Sequence, residues 1–222
     1  MSVVHANKTP GPFSGWTELP RKIVVLEVFE RLILFSLFVH FVNNMLGKGA
    51  AVVNMAALLI VLSETLPILL VMSRGPSESL SQRPSDWIFG VAGTSMPLLV
   101  ISSVPDPLIP GMVCVLLMFA GISIQIGGKL FLGRSFGIVA ANRGVKAAGP
   151  YRFVRHPIYA GYTLTHIGFL LFCPIWQNLL VYTVGLAFHI VRIMREERVL
   201  SQDPAYRDLM RSTPYRMLPG VF

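Results

Sequence analysis

Residues 158–194 read IYAGYTLTHIGFLLFCPIWQNLLVYTVGLAFHIVRIM. A membrane-crossing helix takes about 20 mostly apolar residues, and this run is far longer than that. Its one interruption is Cys173-Pro174. Proline lacks an N–H and crowds the preceding turn, so it ends or kinks a helix. The run therefore predicts a helical hairpin with arms at about 158–173 and 175–194. The first arm is short for a full crossing, so it is expected to be re-entrant or tilted. A hairpin returns the chain to the side it left. Its two polar ends, RHPIY at 155–159 and RIMREERVL at 192–200, are thus expected to meet at one membrane surface.

The rest of the chain agrees with a membrane protein. Of 222 residues, 53% are hydrophobic and only 14% are charged, against roughly 25% charged in soluble domains. The mean hydropathy is +0.62. Four further apolar segments precede the hairpin, at about 23–42, 50–72, 87–104 and 108–127. With the two arms they predict an all-α integral membrane protein of about six transmembrane or re-entrant helices. The expected organisation is an N-terminal cytosolic segment (1–22), a four-helix membrane scaffold (23–127) and a polar C-terminal region (128–222). Residues 1–20 are polar and Pro/Gly-rich, so no secretory signal peptide is expected there.

Charge sets the expected orientation. Lys8, Arg21 and Lys22 precede the first span, and Arg74 and Arg83 lie in the second loop. Six more cations lie between Lys129 and Arg155, and six from Arg192 onward. All of these fall on one side of a six-helix topology, leaving Lys48 opposite and Arg31 inside the first span. The positive-inside rule then places both termini in the cytoplasm. The net charge of +8 follows from that topology and from anionic lipid. Basic residues do not interleave with aromatics in a stripe, so nucleic acid is not expected as a partner.

Several polar residues invite a chemical reading. Glu27, Glu30 and Arg31 in the first span suit an interfacial helix start, with Glu27 and Arg31 paired at i, i+4. Glu64, deeper in SETLP, is expected to hydrogen-bond a neighbouring helix. Cys114 and Cys173 sit in apolar runs and read as small core residues, and His5, His40, His166 and His189 read as core or surface residues. Neither histidines nor cysteines show metal-ligand spacing, so no metal is expected. GGKLFLGRS is not a Walker A loop, and no GxGxxG follows a strand.

The segment GRSFGIVAANRGVKAAGPYRFVRHPIY (133–159) is different. It is polar, Gly-rich and basic, and its apolar positions predict an ordered loop. His156-Pro157 opens the first hairpin arm, with proline at the first turn. The N–H groups of that turn suit an anion such as a carboxylate. At the other end Arg192 and Glu196 share a helix face, with Arg195 and Glu197 beside them.

These residues also carry a family likeness. GRSF, GPYRFVRHPIYAGY, REERVL and AYRDLMRSTPYRMLPGVF closely resemble the C-terminal half of isoprenylcysteine carboxyl methyltransferases, and the related membrane phospholipid methyltransferases share much of the pattern. The resemblance implies an S-adenosylmethionine site lined by Tyr151, His156, Pro157, Ile158 and Tyr159 and by the backbone at Val145 and Lys146. It implies that Glu196, with Glu197 as neighbour, takes the cofactor's ammonium group and that Arg192 faces the methyl acceptor, with Arg192 and Glu196 as the catalytic pair. It implies a lipid-like or prenylated acceptor that enters from the bilayer, with carboxyl O-methylation favoured and a phosphatidylethanolamine-type amine as the alternative. A bacterial plasma membrane is favoured over the endoplasmic reticulum. A sterol-reductase-like enzyme, which the same region resembles, and a non-enzymatic scaffold are the competing classes.

The physical needs of the cofactor fit those residues. Methyl transfer from a sulfonium is an in-line displacement from an activated donor, so alignment and a dry site matter more than acid–base work. The ammonium calls for a carboxylate, and the sulfonium for aromatic faces.

Overall fold

The computed structural model describes residues 21–46, 55–73, 84–101, 106–132 and 145–222. Helices α1 (Arg21–Leu46), α2 (Met55–Ser73) and α3 (Pro84–Ser95) come first, and a 3₁₀ turn (Met96–Leu99) extends α3. Then come α4 (Gly111–Leu132), a 3₁₀ turn (Gly149–Arg152), α5 (Pro157–Phe172), α6 (Trp176–Leu200) and α7 (Pro204–Ser212). The described residues contain no strand. Lys8, Lys48, Arg74, Arg83, Arg134 and Arg143, on which part of the charge argument rests, lie outside them, as do residues 133–144, part of the segment expected to form an ordered loop. The side chain of Glu27, expected to pair with Arg31, is also outside.

Among the described residues, four helices are long and apolar enough to cross a membrane, over Val28–Met45, Met55–Ser73, Gly111–Leu132 and Trp176–Leu200. A shorter apolar stretch covers Ile88–Leu99. At 16 residues, α5 is about 24 Å long, short of the roughly 30 Å hydrocarbon core. Large apolar side chains such as Phe35, Leu69, Leu116, Phe119 and Leu179 stand more than half exposed around the bundle. In a bilayer that outer face meets lipid tails, so its exposure costs nothing. The interior is built from Leu34, Phe41, Ile60, Val71, Met118 and Phe169.

The hairpin forms as the sequence predicts, turning at residues 173–175. Its arms pack against different neighbours. Helix α5 lies directly on α4, where a Cβ added at Gly161 would come within 2.6 Å of the Gly121 carbonyl and 2.8 Å of the Gln125 nitrogen. Small residues let membrane helices touch backbone to backbone. Helix α6 lies against α3 through Phe89–Phe188 ring contact at 5.6 Å and Arg195 over Phe89 at 4.4 Å. Asn178, at the start of α6, donates to the carbonyl of Ile101 and accepts from its N–H, both at 3.0 Å. Between the arms a cleft of about 150 Å³ opens sideways.

The buried polar residues join helices. Gln125 of α4 donates to Ser63 of α2 at 3.1 Å and to Thr165 of α5 at 3.0 Å, and Lys129 donates to Gln125 at 3.2 Å. Glu64 approaches His166 Nε2 of α5 at 3.5 Å, without the geometry of the cross-helix hydrogen bond expected of it, and accepts from Ser63 of its own helix. Cys114 and Cys173 are both buried.

Candidate active site

The start of α5 and the end of α6 come together, and the first polar contact is between adjacent aromatic and acidic side chains. Tyr159 donates its hydroxyl to Glu196 Oε1 at 2.9 Å. Arg192 Nε donates to the same oxygen at 3.1 Å, and its guanidinium lies over the Tyr159 ring at 5.5 Å. Its Nη1 reaches Thr94 Oγ1 on α3 at 3.5 Å. The other Glu196 oxygen faces His156 Nδ1 at 3.9 Å, and the side chain is 18% exposed.

Glu197 sits differently. Its Oε1 accepts from Arg155 Nε at 2.8 Å and from His156 Nε2 at 3.2 Å, and its Oε2 accepts from Arg216 Nε at 2.8 Å. Arg155 also donates to the carbonyls of Thr213 and Pro214, both at 2.7 Å. The last residues cross the start of α5: the N–H of Arg155 donates to Tyr215 at 3.0 Å and that of His156 to Arg216 at 2.8 Å. The carbonyl of Phe222 accepts from the N–H groups of Arg216, Met217 and Leu218, so the tail folds back on itself.

The polar 3₁₀ turn is braced on α4. Gly149 has φ of 62°, and a Cβ there would strike the Phe131 ring at 2.5 Å, so only glycine suits the position. Tyr151 is buried and donates to the Gly128 carbonyl at 3.3 Å. Burial pushes its phenol above the usual range and the Glu196 carboxylate adds to the shift, so it stays a donor.

The residues expected to bind cofactor thus fall into groups. Tyr159, Arg192, Glu196 and His156 form one contiguous patch. Glu197 is held by two guanidiniums and an imidazole and neighbours the patch. Pro157 and Ile158 are buried and pack toward Gly128 of α4. Val145 is half-buried and Lys146 exposed, at the edge of the described residues. Sequence reasoning named no site role for Arg216 or Thr94 and read His189 as a core or surface residue. His189 shares a face of α6 with Arg192 and Glu196, three and seven residues on, and that spacing was a usable signal. Arg216 carried none, because only the tail's return path brings it to Glu197.

These observations define an all-α integral membrane protein with a carboxylate, a guanidinium and aromatic rings gathered at the end of its membrane-length helices. Residues 108–207 match the family model described as phospholipid methyltransferase. The matched stretch, less than half of the chain, runs from α4 into α7 and contains Tyr159, Arg192 and Glu196. It supports a membrane methyltransferase acting on lipid-like substrates. No curated protein matches the chain.

Proposed function

We propose that the protein transfers the methyl group of S-adenosylmethionine to a lipid-like acceptor at the membrane surface. The observation that carries this is Glu196: a carboxylate oriented through one oxygen by Tyr159 and Arg192, with its other oxygen 3.9 Å from His156 Nδ1 and its side chain still 18% exposed beside the Tyr159 ring. That donor set fits the cofactor. Glu196 would take the ammonium, and Tyr159 and Tyr151 would offer ring faces to the cationic end. When bound, S-adenosylmethionine supplies an activated methyl group. The chain's own part is to bind, orient and keep water out. Glu197 serves as a positioning residue, since Arg155, His156 and Arg216 already engage it.

In this reading residues 128–222 are the catalytic region, carried on the helices before it. The cytoplasmic face of a bacterial plasma membrane suits a water-soluble cofactor and the distribution of cations. Two acceptor classes are compatible. A carboxylate, as in a prenylated cysteine, needs a guanidinium to orient it, and Arg192 is placed for that. A phospholipid amine needs a base, and the family match favours this second class.

Purified protein in lipid micelles, supplied with limiting methyl-labelled S-adenosylmethionine and a total lipid extract, is expected to label a lipid product, and Glu196→Gln to label it far more slowly. Equal labelling by the variant contradicts the assignment of Glu196.

A further inference from the structure

The cleft between α5 and α6 ends on two imidazoles, His166 and His189, that the methyl-transfer reading does not use. Its outer rim is formed by Ile167 and Leu186, both partly exposed on the lipid-facing surface, so it opens toward the bilayer. Its inner end abuts the patch described above. The His189 ring lies 5.3 Å from that of Tyr159, the residue that holds Glu196.

The hydrogen bonding of His189 fixes which nitrogen does what. Nε2 lies 3.1 Å from the carbonyl of Gly93 on α3. A carbonyl only accepts, so Nε2 carries the proton, and in the neutral ring Nδ1 is left as an acceptor. The Cδ2–Nε2 edge is the one against α3, since a Cβ at Gly93 would meet Cδ2 at 3.5 Å and Nε2 at 4.0 Å. The Tyr162 ring of α5 stacks on the face of the imidazole at 5.7 Å, and His189 lines the cleft.

We propose that His189 takes the proton of the methyl acceptor, and that the cleft accordingly serves a lipid amine. This rests on the methyltransferase reading. His156 and Glu197 are bound to each other, and Glu197 also to Arg155 and Arg216, and His166, which shares the cleft, stands 3.5 Å from Glu64. The groups around His189 are the Gly93 carbonyl from α3, Tyr159, Tyr162 and His166 from α5, and Arg192 from its own helix. The charge of Arg192 is offset by Glu196, and Glu64 of α2 stands behind His166 at 3.5 Å.

The chemistry balances. An alkylammonium has no lone pair. One N–H proton passes to His189 Nδ1, and the freed nitrogen pair forms the C–N bond. The methyl C–S bond breaks with its electron pair left on sulfur. The products are a methylated ammonium, a neutral thioether and an imidazolium that returns its proton to water.

The test uses phosphatidylethanolamine and S-farnesyl-N-acetylcysteine as probes in micelles. Wild type, His189→Gln and His189→Ala are each first assayed for S-adenosylmethionine binding. The wild type is expected to methylate the amine probe. His189→Gln is expected to keep cofactor affinity, lose about 100-fold in kcat on the amine, and lose the acidic limb of the pH–rate profile. Added imidazole is expected to restore part of the His189→Ala activity. Transfer to the carboxylate probe alone, wild-type kcat and pH profile in His189→Gln, or loss of cofactor binding in both variants overturns the proposal. Wild-type protein that binds no S-adenosylmethionine overturns the reading beneath it, and that is seen before any acceptor is added.

Discussion

Glu196 and Glu197 are neighbours in sequence, yet α6 aims their side chains about 100° apart. One carboxylate faces the patch with an oxygen to spare; the other is buried among three donors. Removing one partner of a buried ion cluster leaves uncompensated charge, at a cost of about 3–5 kcal/mol. Glu197→Gln strands Arg155, which is 5% exposed, together with the more open Arg216. The expected result is a clear fall in the thermal unfolding midpoint in detergent, larger than for Glu196→Gln. Equal midpoints for the two variants would contradict the division of labour. The sequence showed that acidic residues gather here. It did not show which was which, because Arg155 and Arg216 reach Glu197 from other parts of the fold.

At the scale of elements, the helices were largely legible. The apolar runs marked α2 and α4, and His156-Pro157 and Cys173-Pro174 marked the limits of α5. The packing partners were not, because they depend on contacts between helices: α5 pairs with α4 through Gly121 and Gly161, and α6 with α3. That divergence creates the cleft. Gly161→Leu is expected to push α5 off α4, since its Cβ would lie 2.6 Å from the Gly121 carbonyl. Overpacking of this kind costs about 1–3 kcal/mol or more, and it would also displace Tyr159 and His156 at the head of α5. Gly127→Ala is the control, because its Cβ would meet only Pro150 at an ordinary 3.5 Å. Unfolding curves that fail to separate the two would argue against the close α4–α5 contact.

Across the whole molecule, the site is closed by the end of the chain. The backbone of 213–216 binds Arg155 and His156, and the Arg216 side chain binds Glu197. The bundle's core lies elsewhere, among α1, α2, α4 and α5. A chain cut after Ser212 is therefore expected to keep its helical circular dichroism and lose S-adenosylmethionine binding. Full binding by the shortened chain would show that the tail is a bystander. Membrane character was plain from composition. The tail's role was hidden, because PYRMLPGVF has no pattern that says where it docks.

The methyl-transfer site depends on Glu196 as the anchor of S-adenosylmethionine. Calorimetric titration of the detergent-purified protein with that cofactor tests it most directly. A charge-assisted hydrogen bond contributes about 1.5–3 kcal/mol, so Glu196→Gln is expected to weaken binding roughly 10- to 100-fold while the variant stays folded. No heat of binding from folded wild type, or equal affinity in the variant, would contradict the account.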